Sequence, residues 1–323
     1  MKRVVITGAT SMLGVALIEE CLRNGIEVIA IARRGSKNLY RLPQSDHVKL
    51  FECDLDEMKD FFPPAHPSGA SPQPPEGASL RADVFYHFGW GWTGRDADGN
   101  DLRLDPELQA LNIQYTLDAV RLAKKFGCRK FLFAGSQAEY GSTDQPLNRD
   151  TPIKPTMEYG VAKYAAGRLA ESLCRKLEID FVHLRIVSTY GANDGANTLI
   201  SYLVRSYLEN QRPQLTGGDQ LWDYLYADDA ARCFRLLGES DRARGVYVIG
   251  SGVARPLKEY IEIIHRLTGS TVPLIFGEKP YSKNQVMFLQ ADISDLRRDV
   301  GFEPTISFEE GINRIISARR ATN

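Results

Sequence analysis

Disulfide spacing, long apolar runs and an excess of either charge are all missing from this chain of 323 residues. Its five cysteines, Cys21, Cys53, Cys128, Cys174 and Cys233, are scattered, form no CxxC pair and leave one over if joined two by two. A disulfide framework is therefore excluded, and a reduced, cytoplasmic setting fits best. No metal site is expected. Lys and Arg number 40 against 41 Asp and Glu, for a net charge of -1, so no global field draws the chain to nucleic acid or to an anionic membrane. Any anion it binds must be met locally. No stretch approaches the roughly eighteen apolar residues of a membrane span, and Met1–Thr7 runs into a short strand without a signal-peptide core.

Core material is plentiful, with 43% hydrophobic and 25% charged residues, the balance of an ordinary globular enzyme. Short β-branched runs alternate with helical patterns, which predicts βαβ units and a parallel sheet. Strands are expected at Val4–Thr7, Glu27–Ala32, Val48–Glu52, Val84–Phe88, Lys130–Ala134, Asp180–Ile186 and Gly245–Ile249. Helices are expected at Leu13–Arg23, Pro106–Phe126, Tyr159–Lys176, Leu199–Glu209, Leu257–Leu267 and Phe308–Ser317, and a Pro-rich loop at Phe62–Gly77. The fold class is α/β: a Rossmann-type doubly wound parallel sheet with a smaller C-terminal α/β substrate lobe. Residues 1–190 plus about 225–250 would form the first unit, and about 191–224 plus 251–323 the second.

The first strand leads into Gly8-Ala9-Thr10-Ser11-Met12-Leu13-Gly14 and then a helix. Such a turn brings backbone N–H groups and a helix N-terminus to a pyrophosphate, though a plain tight connection has the same look. It resembles the TGxxGxxG of short-chain dehydrogenases, with Ser11 in place of the middle glycine. The second strand ends Ala32-Arg33-Arg34, where an NAD site normally carries an acid for the ribose hydroxyls. Guanidinium groups there suit a 2′-phosphate, so NADP(H) is favoured with NAD(H) possible; two solvated surface arginines are the plain alternative.

Tyr159 and Lys163 stand at i and i+4 of a helix, so the ammonium can sit beside the phenol and lower its pKa toward working pH. Ser136, at a strand end, can orient the same substrate oxygen. The three make a candidate catalytic group.

Longer blocks carry a family resemblance over nearly the whole chain. Gly135-Ser136-Gln137-Ala138-Glu139-Tyr140-Gly141 resembles SSxxVYG, Asn112 resembles the asparagine of NVxGT, and Arg185–Gly191 resembles RxxNVYG. Asp223–Asp229 resembles RDFxYVDD, Val246–Gly252 resembles VYNIGSG, and Gly301-Phe302-Glu303-Pro304 resembles GWxP. Together they resemble the extended short-chain dehydrogenases/reductases of the NAD-dependent epimerase/dehydratase family. The resemblance implies a nucleoside-diphosphate sugar as substrate, Asp54 and Leu55 at the adenine edge, and cofactor contacts from Gly8, Thr10–Gly14, Arg33, Arg34, Phe88, Gly89, Asn112, Tyr159 and Lys163. For Asp54 a helix N-cap is the competing role. The resemblance also implies a homodimer through the helices Pro106–Phe126 and Tyr159–Lys176.

Departures from that pattern narrow the reaction. Gln137 and Ala138 stand where the related dehydratases carry an Asp-Glu pair, and in an extended chain Glu139 would face away, so dehydration is disfavoured. Ser188 replaces an asparagine, and Trp222 replaces the arginine that pairs with substrate diphosphate; Arg255 is a candidate substitute or a solvated loop residue. Trp90, Gln137, Ser188, Trp222 and Arg255 are the candidate substrate contacts. His87, in Tyr86-His87-Phe88-Gly89, resembles the HLAA strand end and reads as a packed residue rather than a proton carrier. The expected activity is NADP(H)-dependent reduction of a 4-keto nucleotide sugar, with 4-epimerisation by the same Ser/Tyr/Lys group as the alternative. A non-enzymatic NADP(H) sensor or scaffold is a remote third reading.

Overall fold

A computed structural model describes residues 1–61, 80–282 and 285–322; the Pro-rich segment Phe62–Gly77 lies outside the described residues. In chain order the first half runs β1 (Arg3–Thr7), α1 (Met12–Arg23), β2 (Glu27–Ala32), β3 (Val48–Glu52), β4 (Val84–His87), α2 (Pro106–Lys125), β5 (Lys130–Ser136), α3 (Glu158–Lys176) and β6 (Asp180–Ile186). The second half runs β7 (Thr189–Tyr190), α4 (Leu199–Leu208), β8 (Leu221–Asp223), β9 (Leu225–Tyr226), α5 (Ala227–Glu239), β10 (Gly245–Ile249), β11 (Ala254–Pro256), α6 (Leu257–Thr268), β12 (Phe288–Leu289), α7 (Ser294–Val300) and α8 (Phe308–Thr322).

Seven strands form one parallel sheet in the order β3-β2-β1-β4-β5-β6-β10. Strand side chains alternate between its faces, and both faces are apolar. Val4, Ile6, Val28, Ala30, Val84 and Tyr86 pack toward α1 and α5, whereas Val5, Ile29, Ile31, Phe85, Phe131 and Phe133 pack toward α2 and α3. The strand order reverses between β1 and β4, which opens a crevice at the carboxyl ends where the Gly8 turn, Phe88 and Ser136 emerge. A separate apolar cluster, including Tyr190, Leu203, Tyr260, Ile264, Phe308 and Ile312, joins α4, α6 and α8. A three-stranded sheet of order β11-β8-β12 lies in the same half of the chain.

Most expected elements are present, with ends displaced by a residue or two. The exceptions have physical causes. β5 continues through Ser136 because Gly135 and Ser136 keep register with Arg185 and Ile186. The last helix extends to Thr322. Helix α5 was not anticipated: Tyr226 at its start offers no side-chain cap, and its end is satisfied from far away. The buried Lys130 ammonium donates to the Leu237 and Ala243 carbonyls, each at 3.2 Å, and to that of Ser240. A helix terminated by a lysine 107 residues earlier leaves no local stop signal.

Candidate active site

The turn after β1 has little room to vary. Gly8 has φ +65°, and a Cβ there would lie 2.8 Å from the Phe88 carbonyl carbon; one on Gly14 would lie 2.4 Å from the Gly8 oxygen. Ser11, the departure from the glycine pattern, caps α1: its hydroxyl accepts from the Gly14 N–H at 3.1 Å. The turn opens onto a cleft of about 710 Å³ lined by Gly8, Thr10 and Ser11, by Arg33 and Ser36, by Asp54 and Leu55, and by Phe88–Gly94. Met12 and Leu13 do not line it; Met12 packs near Gly191 and Leu13 against the core. The room, the tight glycine turn and the helix N-terminus fit a dinucleotide.

The two arginines after β2 part company. Arg34 pairs with Glu57 at 3.0 Å, and its N–H donates to Asp54 Oδ1 at 3.1 Å. Arg33 is exposed at the cleft and has no side-chain partner among the described residues. Ser36 lies beside it, its hydroxyl 3.2 Å from that of Thr10. Asp54 stands at the N-cap position of a short 3₁₀ turn, Leu55–Glu57, and keeps its place in the cleft wall. Leu55 packs so closely on Gly89 that a Cβ there would lie 2.9 Å from its Cδ2. Asn112 does not line the cleft. It is 1% exposed, and its Oδ1 accepts from the Gly91 N–H at 2.7 Å, so it holds the loop after β4.

Ser136 ends β5 and Tyr159 and Lys163 lie on the first turns of α3. The extended-chain condition considered for Glu139 is not met, because after Ser136 the chain does not stay extended. It turns into a 3₁₀ helix, Gln137–Glu139, closed by a capping box: Ser136 Oγ accepts from the Ala138 N–H at 3.2 Å, and Glu139 Oε1 accepts from the Ser136 N–H at 2.8 Å. Glu139 is still unavailable to substrate, because it is fully buried and also bonds His183 at 3.0 Å and Arg185 at 2.8 Å. Burial, the largest influence, raises its pKa, but the His183, Arg185 and Ser136 contacts together hold it below the usual value. Gly135 and Gly167 leave the space that the His183 ring fills.

With its hydroxyl oxygen accepting from Ala138, Ser136 has its proton free to donate. Burial pushes the Tyr159 phenol up to about 12; a hydrogen bond with Ser136 and the nearby Arg103 cation oppose this, and the Glu139 charge adds to it. The expected lowering by Lys163 is not found. The Lys163 ammonium turns away from the phenol: it donates to the Ala134 carbonyl at 2.7 Å and lies 3.7 Å from the centre of the Trp90 ring, but 5.7 Å from that of Tyr159. Burial brings its pKa down to about 7, against a raising influence from Glu139. His87 is buried and bonded through Nδ1 to Thr7 Oγ1 at 2.7 Å; burial and then Lys163 lower its pKa to about 3, so it is neutral, as its packed role requires.

Of the substrate candidates, Trp90 lines the cleft and meets Tyr159 edge to face, with centroids 6.0 Å apart. Gln137 is half-buried at the head of the 3₁₀ turn beside Ser136. The two departures in the second half of the chain turn out to be partners: the Trp222 indole donates to Ser188 Oγ at 2.9 Å. Arg255 stands directly opposite Trp222 across the antiparallel β8–β11 pair, so both side chains project from the same face. It is half-buried, with no side-chain partner among the described residues.

Two residues of the site escaped the sequence reading. Gln109, 1% exposed, accepts from the Trp90 indole at 3.0 Å and donates to the Trp92 and Leu102 carbonyls at 2.9 and 3.0 Å. Its signal was its place three residues before Asn112, on the same helix face. Arg103, paired with Asp101 through Nη2 at 2.6 Å, had no local signal.

Fold and cleft define a dinucleotide-binding enzyme of the extended short-chain dehydrogenase/reductase class. The model of the NAD dependent epimerase/dehydratase family matches residues 4–67 and 78–250, and the chain belongs to that family. The associated cofactor class is a nicotinamide dinucleotide. A dTDP-4-dehydro-6-deoxyglucose reductase of Escherichia coli is 26% identical over 199 residues, 60% of this chain and 62% of that protein. Among solved structures, UDP-glucose 4-epimerase of Thermotoga maritima with UDP-glucose has a TM-score of 0.82 at 22% identity, covering 99% of both chains. MoeE5 in complex with UDP-glucuronic acid and NAD has a TM-score of 0.80 at 24% identity, covering 99% of this chain and 100% of the other. At these identities the two structures bear on fold alone. Among the described residues, no helix is long and apolar enough to cross a membrane.

Proposed function

We propose that this enzyme carries out hydride chemistry at C4 of a nucleotide-linked sugar, in the direction of reduction, with Ser136, Tyr159 and Lys163 as its catalytic residues. The observation that carries this reading is geometric: the Ser136 hydroxyl, whose oxygen accepts from the Ala138 N–H at 3.2 Å, stands at the end of β5 beside the Tyr159 phenol on the first turn of α3, with no acid or base at Gln137 and Ala138. The nicotinamide dinucleotide supplies the hydride. Tyr159 gives its proton to the C4 oxygen, Ser136 donates a hydrogen bond to the same oxygen, and Lys163 supplies positive charge close by. Gln137 and Ala138 hold no acid or base, so water elimination is not part of the reaction. Arg33, with Ser36 beside it, offers cation and hydroxyl to a 2′-phosphate, which favours NADP(H). The sugar nucleotide would lie toward Trp90, Gln137 and Ser188, with Trp222 as an apolar wall and Arg255 as the cation for its diphosphate. The segments around 191–224 and 251–323 would form that substrate lobe.

Epimerisation at C4 by the same three residues is the second reading, supported by 24% identity over 330 residues, 99% of this chain and of the other, with a putative UDP-glucose 4-epimerase of Methanocaldococcus jannaschii. Tyr159 would then act first as a base, which requires its phenol to ionise. The deciding experiment identifies the copurified cofactor and supplies 4-keto sugar nucleotides and UDP-hexoses to the purified enzyme. Stoichiometric NADPH oxidation with a 4-keto substrate supports reduction, whereas isomerisation without net cofactor turnover selects epimerisation.

A further inference from the structure

Trp90 is held on two sides, by Gln109 of α2 and by Lys163 of α3. Its indole N–H is fixed by Gln109, whose two amide protons are themselves spent on backbone carbonyls, so the anchor cannot swing. Its ring face carries the Lys163 ammonium at 3.7 Å, in a pocket where that lysine is only 4% exposed. Its edge meets the Tyr159 ring at an interplanar angle of 82°. One aromatic side chain thus touches both the lysine and the tyrosine of the candidate catalytic group.

We propose that Trp90 is a positioning residue, anchored by Gln109, that holds the Lys163 ammonium on its indole face and sets the orientation of the Tyr159 ring. This rests on the roles given above to Lys163 and Tyr159. A buried ammonium has lost its hydration and keeps its charge only where other groups replace water. The charged or titratable groups facing Lys163 are few. His87 from β4 is neutral, Glu139 from the turn after β5 is committed to His183 and Arg185, and Tyr159 lies on its own helix. Close stabilisation therefore comes from the Ala134 carbonyl and the indole face at 3.7 Å, with the Phe133 ring farther off at 5.1 Å, and a cation over an aromatic ring gains most where water is excluded. An aliphatic side chain at this position would remove the nearer of the two ring faces and leave the ammonium with one carbonyl and the more distant Phe133 ring in a dry pocket, and it would shed its proton more readily or move.

The test begins without cofactor or substrate. The chain has three tryptophans, and Trp92→Phe with Trp222→Phe leaves Trp90 as the sole indole emitter. In that background, titration across neutral pH is expected to change the emission in a single-proton step, and adding Lys163→Met to abolish the step. Emission that stays flat with pH and unmoved by Lys163→Met overturns the proposal, whatever reaction the enzyme performs. With an active substrate in hand, Trp90→Leu should lower kcat by about tenfold, leave KM nearly unchanged and move the alkaline limb of the rate profile to lower pH, while Trp90→Phe, which keeps an aromatic face, should recover most of the rate. Unaltered kcat and pH profile in Trp90→Leu would also overturn it. Failure of the unaltered enzyme to turn over any sugar nucleotide counts against the proposed reaction instead, and the emission titration then decides the positioning role alone.

Discussion

Removing the Tyr159 hydroxyl leaves its ring packed against Trp90 but takes away the proton donor. Tyr159→Phe is expected to lower kcat by about 10²–10⁴-fold with cofactor affinity nearly unchanged, as steady-state rates and a cofactor titration would show. In the cleft wall, Arg33 has no side-chain partner among the described residues, and Ala32 before it is the position without an acid. The pair Ala32→Asp and Arg33→Ala should turn a preference for NADP(H) toward NAD(H) by about tenfold or more, and equal binding of both cofactors by the unaltered protein would refute that preference. His87 gives a pH dependence of stability rather than of rate. Burial holds its folded pKa at about 3, below the ordinary histidine value of about 6.5, so the folded state binds fewer protons between these limits. Its contribution is fully present above about pH 6.5 and is lost as pH falls toward 3. Unfolding free energies from urea titrations should show roughly 3 kcal/mol of that loss by about pH 4.5, and His87→Leu should remove this part of the dependence.

The end of α5 shows how an element is completed by a distant part of the chain. Lys130 lies at the start of β5, and its ammonium closes three carbonyls between Leu237 and Ala243. Lys130→Met keeps the apolar stem but strands those acceptors in the interior. A stability loss of about 2–4 kcal/mol is expected from denaturant unfolding, with cofactor binding intact in the folded fraction. The loop after β4 is completed in the same manner by Gln109 and Asn112 of α2. It includes Trp92, a bulky residue at φ 54°, whose carbonyl is one of the groups Gln109 holds. The apolar spacing of α5 at Ala227, Ala230, Ala231, Phe234 and Leu237 is itself legible in the sequence, whereas the place where it ends, set by a remote lysine, is not.

At the scale of the whole molecule, α2 and α3 pack together and leave Leu111, Val161 and Leu169 exposed at 43%, 53% and 48%. We propose that an isologous two-fold contact covers the exposed residues and makes the enzyme a homodimer. Light scattering should give the mass of two chains, and Leu111→Glu with Leu169→Glu should give one; a monomer in the unaltered protein would reject the dimer.

The parallel sheet, the glycine turn after β1 and the placing of Tyr159 and Lys163 on one helix face follow from sequence because each depends on local spacing: β-branched runs between amphipathic helices, a glycine forced to positive φ, and two residues one helical turn apart. Folding alone decided which charges remain free. It gave Arg34 to Glu57 and left Arg33 open, buried Glu139 among His183, Arg185 and the Ser136 backbone, joined Trp222 to Ser188, and drew the Lys163 ammonium onto Trp90. Apart from the Glu139–Ser136 capping bond, those pairings span tens of residues of chain. Their physical reason is the burial of polar groups, which must find partners wherever the packed sheet and helices bring them.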